Sequence, residues 1–308
     1  MQLLHRLRQA TNKLLSPLGF EVARVDKQPW FQPNMVTTRV GKFDIQIPAH
    51  NPLSTLYRKL PGYTSHLGRL ATVLLDKYPD LVAIDVGANV GDTACIIESA
   101  GAIPLLCIEG DDLSFSVLEK NLRQFRDARA FKIFLGEKSE AVGMTMAKDG
   151  WNTTLIPDQA GGTKKISLVS LDDFLAPRPE MPRIKLLKID TEGFDCSIMR
   201  GAKNFLRQVH PAITFEYNRE NMAALGENGL ETLSMLAGLG YGPVMFHDCG
   251  GRFFDATVLT NNQFLTNIHE YADGKQAAVY YFDLTVFHET DRDLAEVYVK
   301  GERARRAG

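Results

Sequence analysis

The sequence predicts an α/β fold, a doubly wound and mostly parallel sheet with helices on both faces, on three observations. From Ser65 onward, short apolar runs bounded by turn residues alternate with segments of helical period, the pattern of parallel strands joined by crossover helices. The first run, Leu81 to Val86, is nearly continuous in apolar residues, as a strand buried on both faces requires. It leads into Gly87-Ala88-Asn89-Val90-Gly91-Asp92 directly before a helix, and that order places a ligand crevice at the carboxyl ends of the strands.

Ahead of that core, Leu3, Leu7, Ala10, Leu14 and Leu18 recur at helical spacing, while Arg6, Arg8 and Lys13 meet no acid before Glu21. This is an amphipathic basic helix with two open readings: docked on the protein's own core, or lying at the surface in peripheral contact with an anionic membrane or a partner. Gln28 to Pro61 is rich in Pro, Asn and Thr, with one alternating stretch from Lys42 to Ile47. It reads as an irregular entrance segment carrying a hairpin. Residues 1–61 are thus set apart from a main domain over residues 62–308.

In that domain the expected elements run in order: helix Ser65 to Lys77, strand Leu81 to Val86, helix Thr93 to Ser99, strand Pro104 to Ile108, helix Ser114 to Phe125 and strand Ala130 to Leu135. A polar insertion, Gly136 to Lys165, precedes a short strand at Ile166 to Val169, helix Leu171 to Leu175 and strand Ile184 to Ile189. Helix Cys196 to Val209, strand Ala212 to Tyr217, helix Gly229 to Leu239 and late strands at Pro243 to Phe246 and Tyr280 to Phe287 complete the set. They make about seven core strands, the last two as an antiparallel pair. The apolar residues from Val279 to Phe287 suit core or interface equally, and Arg303 to Arg306 reads as a solvated tail.

Composition narrows the function. A formal charge of −2 argues against nucleic acid as a partner, which needs concentrated Lys and Arg. Cys95, Cys107, Cys196 and Cys249 show neither C-x-x-C pairing nor a nearby His at ligand spacing; they read as reduced, buried thiols, with no zinc site. No apolar run reaches the length of a membrane span, and Arg6, Arg8, Asn12 and Lys13 interrupt any secretory signal. A cytoplasmic enzyme is the simplest expectation.

The glycine loop determines the cofactor class. Gly87 and Gly91 let the backbone approach a ligand, and Glu109, about 20 residues beyond the glycines at the next strand end, can accept both hydroxyls of a ribose. A dinucleotide fingerprint needs glycines where Asn89 and Asp92 stand. Asp85 adds negative charge where a diphosphate would lie, but suits a cofactor with an ammonium and a sulfonium. S-adenosylmethionine is therefore favoured over a nicotinamide cofactor, and an oxidoreductase is the lesser alternative.

The stretch Ala83-Ile84-Asp85-Val86-Gly87-Ala88-Asn89-Val90-Gly91-Asp92-Thr93, followed by Lys188-Ile189-Asp190-Thr191-Glu192-Gly193-Phe194-Asp195, resembles the FkbM family of methyltransferases. Val169 to Phe174, Met199-Arg200-Gly201-Ala202 and Pro211 to Asn218 extend the likeness, which covers about Gly62 to Asn218. The resemblance implies a Rossmann-like class I fold and methyl transfer from S-adenosylmethionine to a hydroxyl, of a glycan sugar or of a secondary metabolite. By position it assigns Asp85, Gly87, Asn89 and Gly91 to the methionine part of the cofactor, with Ala88 and Asp92 also among the cofactor-binding residues. Glu109-Gly110 would serve the ribose, Gly136-Glu137 the adenine edge, and Tyr63 and His66 a covering role.

Methyl transfer requires nucleophile, carbon and sulfur in line, and an alcohol acceptor profits from a general base. Asp190, which also belongs with the cofactor residues, and Glu216 end adjacent strands beside the loop and are the first candidates. Glu192 is the third, with helix capping as its alternative. His247, after a late strand, suits proton removal near neutral pH, although an ordinary loop role fits as well. No acidic metal signature is present. Trp151 and Asn152 could cover a sugar ring or simply pack.

Overall fold

The computed structural model describes residues 34–60, 62–149, 152–157, 165–272 and 277–307. The basic helix expected over residues 3–18 and Trp151 lie outside them. Residues 35–308 form one compact unit.

The entrance segment does carry a hairpin: β1 (Met35–Val40) turns at Gly41 and pairs antiparallel with β2 (Phe43–Pro48). Val40, Ile45 and Ile47 bury one face of it, the period of two that a half-buried ribbon needs. Helices α1 (Leu53–Lys59) and α2 (Ser65–Lys77) follow. Along α2 the residues Leu67, Leu70, Ala71 and Leu74 form a single buried stripe.

The alternation of strand and helix then proceeds through β3 (Val82–Val86), α3 (Asp92–Ala100), β4 (Leu105–Ile108), α4 (Asp112–Leu122) and β5 (Ala128–Phe131). What reads in sequence as one strand from Ala130 to Leu135 is divided: β5 ends at Phe131, and β6 (Phe134–Gly136) belongs to another sheet. The polar insertion carries β7 (Glu140–Asp149) and β8 (Asn152–Pro157), which with β9 (Lys165–Ser170) and β6 form a four-stranded sheet in the order β6-β9-β7-β8. At the start of β7, Glu140, Ala141 and Gly143 are exposed.

The chain returns through α5 (Leu171–Leu175) to β10 (Ile184–Ile189), then α6 (Asp195–Arg200) and α7 (Lys203–Val209). The helix expected over Cys196 to Val209 is thus broken at Gly201-Ala202. A Cβ on Gly201 would stand 2.3 Å from the Gly136 carbonyl oxygen, so the break seats the chain against the end of β6. There follow β11 (Ala212–Tyr217), α8 (Arg219–Ala224), α9 (Gly229–Gly238) and β12 (Tyr241–Asp248). An edge strand β13 (Phe253–Val258) and helix α10 (Asn262–Tyr271) come next, both unforeseen in the sequence, before β14 (Phe282–His288) and α11 (Arg292–Ala307).

The main sheet has eight strands in the order β13-β12-β14-β11-β10-β3-β4-β5, one more than expected. Strands β5, β4, β3, β10 and β11 are parallel, and β14 inserts antiparallel between β11 and β12. From β3 the chain winds outward through β4 and β5, then restarts on the other side at β10, so the crevice between β3 and β10 is the topological switch point. Ile84, Leu106, Leu187, Ile213 and Val286 bury one face under α5 to α10. Ala83, Leu105, Leu186, Ala212, Met245 and Phe287 bury the other under the hairpin, α2, α3, α4 and α11. The last strand is therefore core. Arg303 to Arg306 is no tail but the end of α11, where Arg306 donates to the Phe254 carbonyl (2.7 Å).

Because Gly201 touches backbone that cannot yield, Gly201→Val is expected to cost about 2 kcal/mol by overpacking, read as a lower urea midpoint. Gly238→Ala, at a position with nothing within 4 Å, serves as the control and should hold or raise it.

Candidate active site

Two charged side chains interrupt the apolar strands β3 and β10 at paired positions. Asp85 and Lys188 are cross-strand partners, and Lys188 Nζ lies 2.9 Å from Asp85 Oδ1, with side chains 7% and 0% exposed. The same ammonium donates to the carbonyl oxygens of Gly87 (2.9 Å) and Val86 (3.3 Å). Thr93 in the first turn of α3 donates its hydroxyl to Asp85 Oδ2 (2.6 Å). Burial works against the lysine's charge, but the carboxylates of Asp85 and Asp190 outweigh it and raise its pKa. The glycine loop is thereby tied to both neighbouring elements. Gly87 has a φ of +69°, and a Cβ there would fall 1.8 Å from the Asp190 carbonyl oxygen, so only glycine fits.

The next strand end supplies Glu109, which accepts from the backbone N–H of Asn89 (2.9 Å) and of Asp111 (2.7 Å). Burial lifts its carboxyl to about 7 against those two donors. Asp111 caps α4 by accepting from the Leu113 and Ser114 amides. Gly110 lies against the Phe134 ring, where a Cβ would come within 2.2 Å. At the start of α3, which no side chain caps, Asp92 accepts from Tyr57 Oη (2.8 Å), and burial raises its pKa to about 6.

These groups open onto a cavity of about 710 Å³. One half is an apolar slot of Ile108, Ile133, Phe134, Leu135 and Ile198 beside Glu109; the other carries Asp190, Glu192, Glu216, Asn218, Asn221 and Asp283 with Tyr63, Tyr280 and Tyr281. Asn221 Nδ2 donates to Glu192 Oε2 (2.9 Å) and Glu216 Oε2 (3.4 Å), holding the two carboxylates together. Burial, then the neighbouring Asp190 and Glu192, push Glu216 well above the carboxylate range. Of the non-glycine residues at positive φ, Thr64, Asn89 and Glu192 all border this cavity, a concentration of backbone strain typical of functional sites. Among the described lining residues Asp92, Glu109, Asp111, Asp190, Glu192, Glu216, Glu220 and Asp283 face one lysine, Lys188, already paired with Asp85.

Most residues singled out in the sequence meet here: Gly87, Asn89, Asp92, Glu109, Gly110, Asp190, Glu192, Glu216 and Tyr63 line the cavity. Asp85, Ala88 and Gly91 lie beneath it, fully or nearly buried in the turn. Gly136 and Glu137 stand apart, because Arg200 draws the Glu137 carboxylate outward (2.7 Å); Phe134 and Leu135 occupy the place expected of them. His66 and His247 do not reach the cavity: both are buried and stacked on each other at 4.4 Å. Cys249 is the one cysteine not fully buried, and borders the cavity. Lys188 stands inside the second sequence block, and the sequence signal for its role is a lysine late in an apolar strand, since β10 carries another, Lys185, near its start; the pairing with the lone aspartate of β3 appears only in the sheet register. Asp283, Asn221 and Phe134 give no such signal. Among the described residues no group of three or more His, Cys, Asp or Glu is placed to hold a metal ion, and no helix is long and apolar enough to cross a membrane.

A five-strand parallel run with a reversed strand inserted near one edge, a glycine loop at the switch point and a glutamate at the end of the next strand are the features of the class I methyltransferase architecture. A family model, the methyltransferase FkbM domain, matches residues 85–243, more than half of the chain, which therefore belongs to the FkbM methyltransferase family. Among solved structures the chain is similar to methyltransferase FkbM from Methylobacillus flagellatus, at 15% identity over 67% of this chain and 60% of that one, with a TM-score of 0.41. It thus spans less than two thirds of that relative's length. It is also similar to P. horikoshii TYW2 in complex with MeSAdo, at 11% identity over 92% and 83% of the two chains (TM-score 0.41). The plantazolicin methyltransferase BpumL in complex with SAH is similar at 9% identity over 77% and 88% (TM-score 0.36). No curated protein matches the chain.

Removing one partner of the buried pair leaves the other charge stranded. Lys188→Met is expected to cost about 3–5 kcal/mol at pH 7, measured by urea unfolding. A Lys188→Met, Asp85→Leu double variant should regain most of it.

Proposed function

We propose that the chain is an S-adenosylmethionine-dependent O-methyltransferase that acts on a hydroxyl of an uncharged acceptor, in the first place a sugar of a glycan or glycoconjugate. The observation that carries this reading is the charge of the cavity: its carboxylates confront no unpaired cation among the described residues. That suits a donor bearing a sulfonium and an ammonium, and it repels a pyrophosphate. The nicotinamide reading loses support on the same ground, and a phosphorylated acceptor is disfavoured with it.

The residues fit the donor in parts. In this reading Glu109 accepts from the ribose diol, the slot at Phe134 and Leu135 takes the flat base, and Asn89, Asp92 and Asp190 meet the ammonium end; that all of them line one cavity supports it. When bound, the donor supplies an electrophilic methyl carbon. The chain itself must hold the acceptor hydroxyl, exclude water and take up a proton. Tyr63, Tyr280 and Tyr281 give flat faces for a sugar ring, and Asn218 and Asn221 give amides for its hydroxyls. A secondary-metabolite hydroxyl could occupy the same half of the cavity.

Calorimetry tests the reading. S-adenosylhomocysteine should bind and NADH should not, and Gly87→Val should abolish binding by forcing the loop from β10. Glu109→Ala should weaken it by about 1.5–3 kcal/mol, the worth of hydrogen bonds to a charged group. Because the Glu109 carboxyl titrates at about 7, affinity should fall as the pH drops from 8 to 6, when the acceptor carboxylate becomes protonated. Wild-type protein giving no heat with S-adenosylhomocysteine would refute the donor assignment.

A further inference from the structure

Because β14 runs antiparallel, its first residues, not its last, reach the carboxyl edge of the sheet. Asp283 there is the direct cross-strand partner of Glu216 on one side and of His247 on the other. The three side chains therefore share one face at neighbouring strand positions, about 5 Å apart. Asp283 lines the acceptor half of the cavity. Behind it, His66 of α2 brings Nε2 to 3.7 Å from Asp283 Oδ2, with the two side chains 4% and 24% exposed. The His66 ring lies on His247, whose Nε2 is 3.3 Å from Glu302 Oε2, and Arg69 binds Glu302 from the far side. Tyr298 fixes the base of this column by donating to the His66 carbonyl (3.0 Å).

The column keeps His66 neutral. Its Nδ1 and that of His247 are buried without hydrogen-bond partners, and two stacked rings beside Arg69 cannot both carry charge. Burial first, then His247 and Arg69, hold His66 well below the usual histidine range. A neutral ring that offers Nε2–H can aim a carboxylate without drawing its basicity down, as a cation would. Burial, Asp190, Asp195 and Asp248 push Asp283 well above the carboxylate range, and Glu216 is raised beside it, while Lys188 opposes the trend. A positive charge brought into the cavity reverses that balance and favours the ionised form.

We propose that Asp283 is a catalytic residue that accepts the proton of the acceptor hydroxyl, and that His66 is the positioning residue that aims its carboxylate into the cavity. The O–H bond breaks with its electron pair left on oxygen for the new bond to carbon, the methyl–sulfur bond of the donor breaks with its pair on sulfur so that S-adenosylhomocysteine leaves, and the proton ends on an Asp283 carboxylate oxygen. This rests on the methyl-transfer reading above. It also requires that Asp283 lose its proton when a cationic donor enters, and that event can be measured without any acceptor.

Calorimetry at pH 7 in two buffers of different ionisation enthalpy counts the protons released on binding. S-adenosylmethionine, with its sulfonium, should release more than the neutral-sulfur S-adenosylhomocysteine. The difference should vanish in Asp283→Asn while S-adenosylhomocysteine affinity stays within about threefold. His66→Phe should move the pH at which the difference appears, and His66→Gln, which restores a donor at the Nε2 position, should return it. An undiminished difference in Asp283→Asn overturns the assignment of Asp283. A midpoint unmoved in His66→Phe overturns the positioning role. Absence of binding by the wild type would instead strike the underlying donor assignment.

Discussion

The site depends on a single buried ion pair. Lys188 neutralises Asp85 and gathers the carbonyls of Val86 and Gly87, while Thr93 binds the other Asp85 oxygen. These contacts fix the exit of β3, the turn after it and the first turn of α3 to the end of β10. Such a pair is expensive to bury and adds little net stability. What it supplies is location: the loop amides and the carboxylates of two strands are held in fixed register at the switch point. Gly87 is the complementary half of this constraint, since the close approach that Lys188 enforces leaves no room for a side chain.

The glycine-loop side of the cavity was legible in sequence because its demands are local. A buried parallel strand needs a continuous apolar run, a tight loop needs glycine, and a carboxylate that reaches the loop must end the following strand; all three leave marks at short range. Thus Gly87, Asn89, Asp92 and Glu109 stand in the cavity where pattern placed them. The same logic misplaced His247. A histidine at the end of a late strand reads as accessible, but β12 lies beneath α2 and α11, whose His66 and Glu302 enclose it. Nothing local to His247 encodes that cover.

The other side of the cavity resisted sequence reading for a related reason. Asp283 reaches the cavity because an antiparallel strand from late in the sequence is threaded between β11 and β12, and strand order is a property of long-range pairing rather than of any window. The insertion of residues 136–165 was legible only as polar, and a ribbon with one face on solvent is polar as well as a loop, so its strands β7 and β8 left no mark. Gly201 lies between these cases, since the motif marks it but only the approach of Gly136 explains it.

The walls of the cavity are also divided along the chain. The glycine loop, Glu109 and all of the slot but Ile198 come from residues before 136, whereas Glu216, Asn221, Tyr281 and Asp283 follow Asp190 and only Tyr63 joins them from the earlier part. A recombination point between β9 and β10 would therefore exchange most of one wall and keep most of the other, provided that Lys188 and Asp85 travel as compatible partners. The ion pair then acts as a compatibility lock between two inheritable halves.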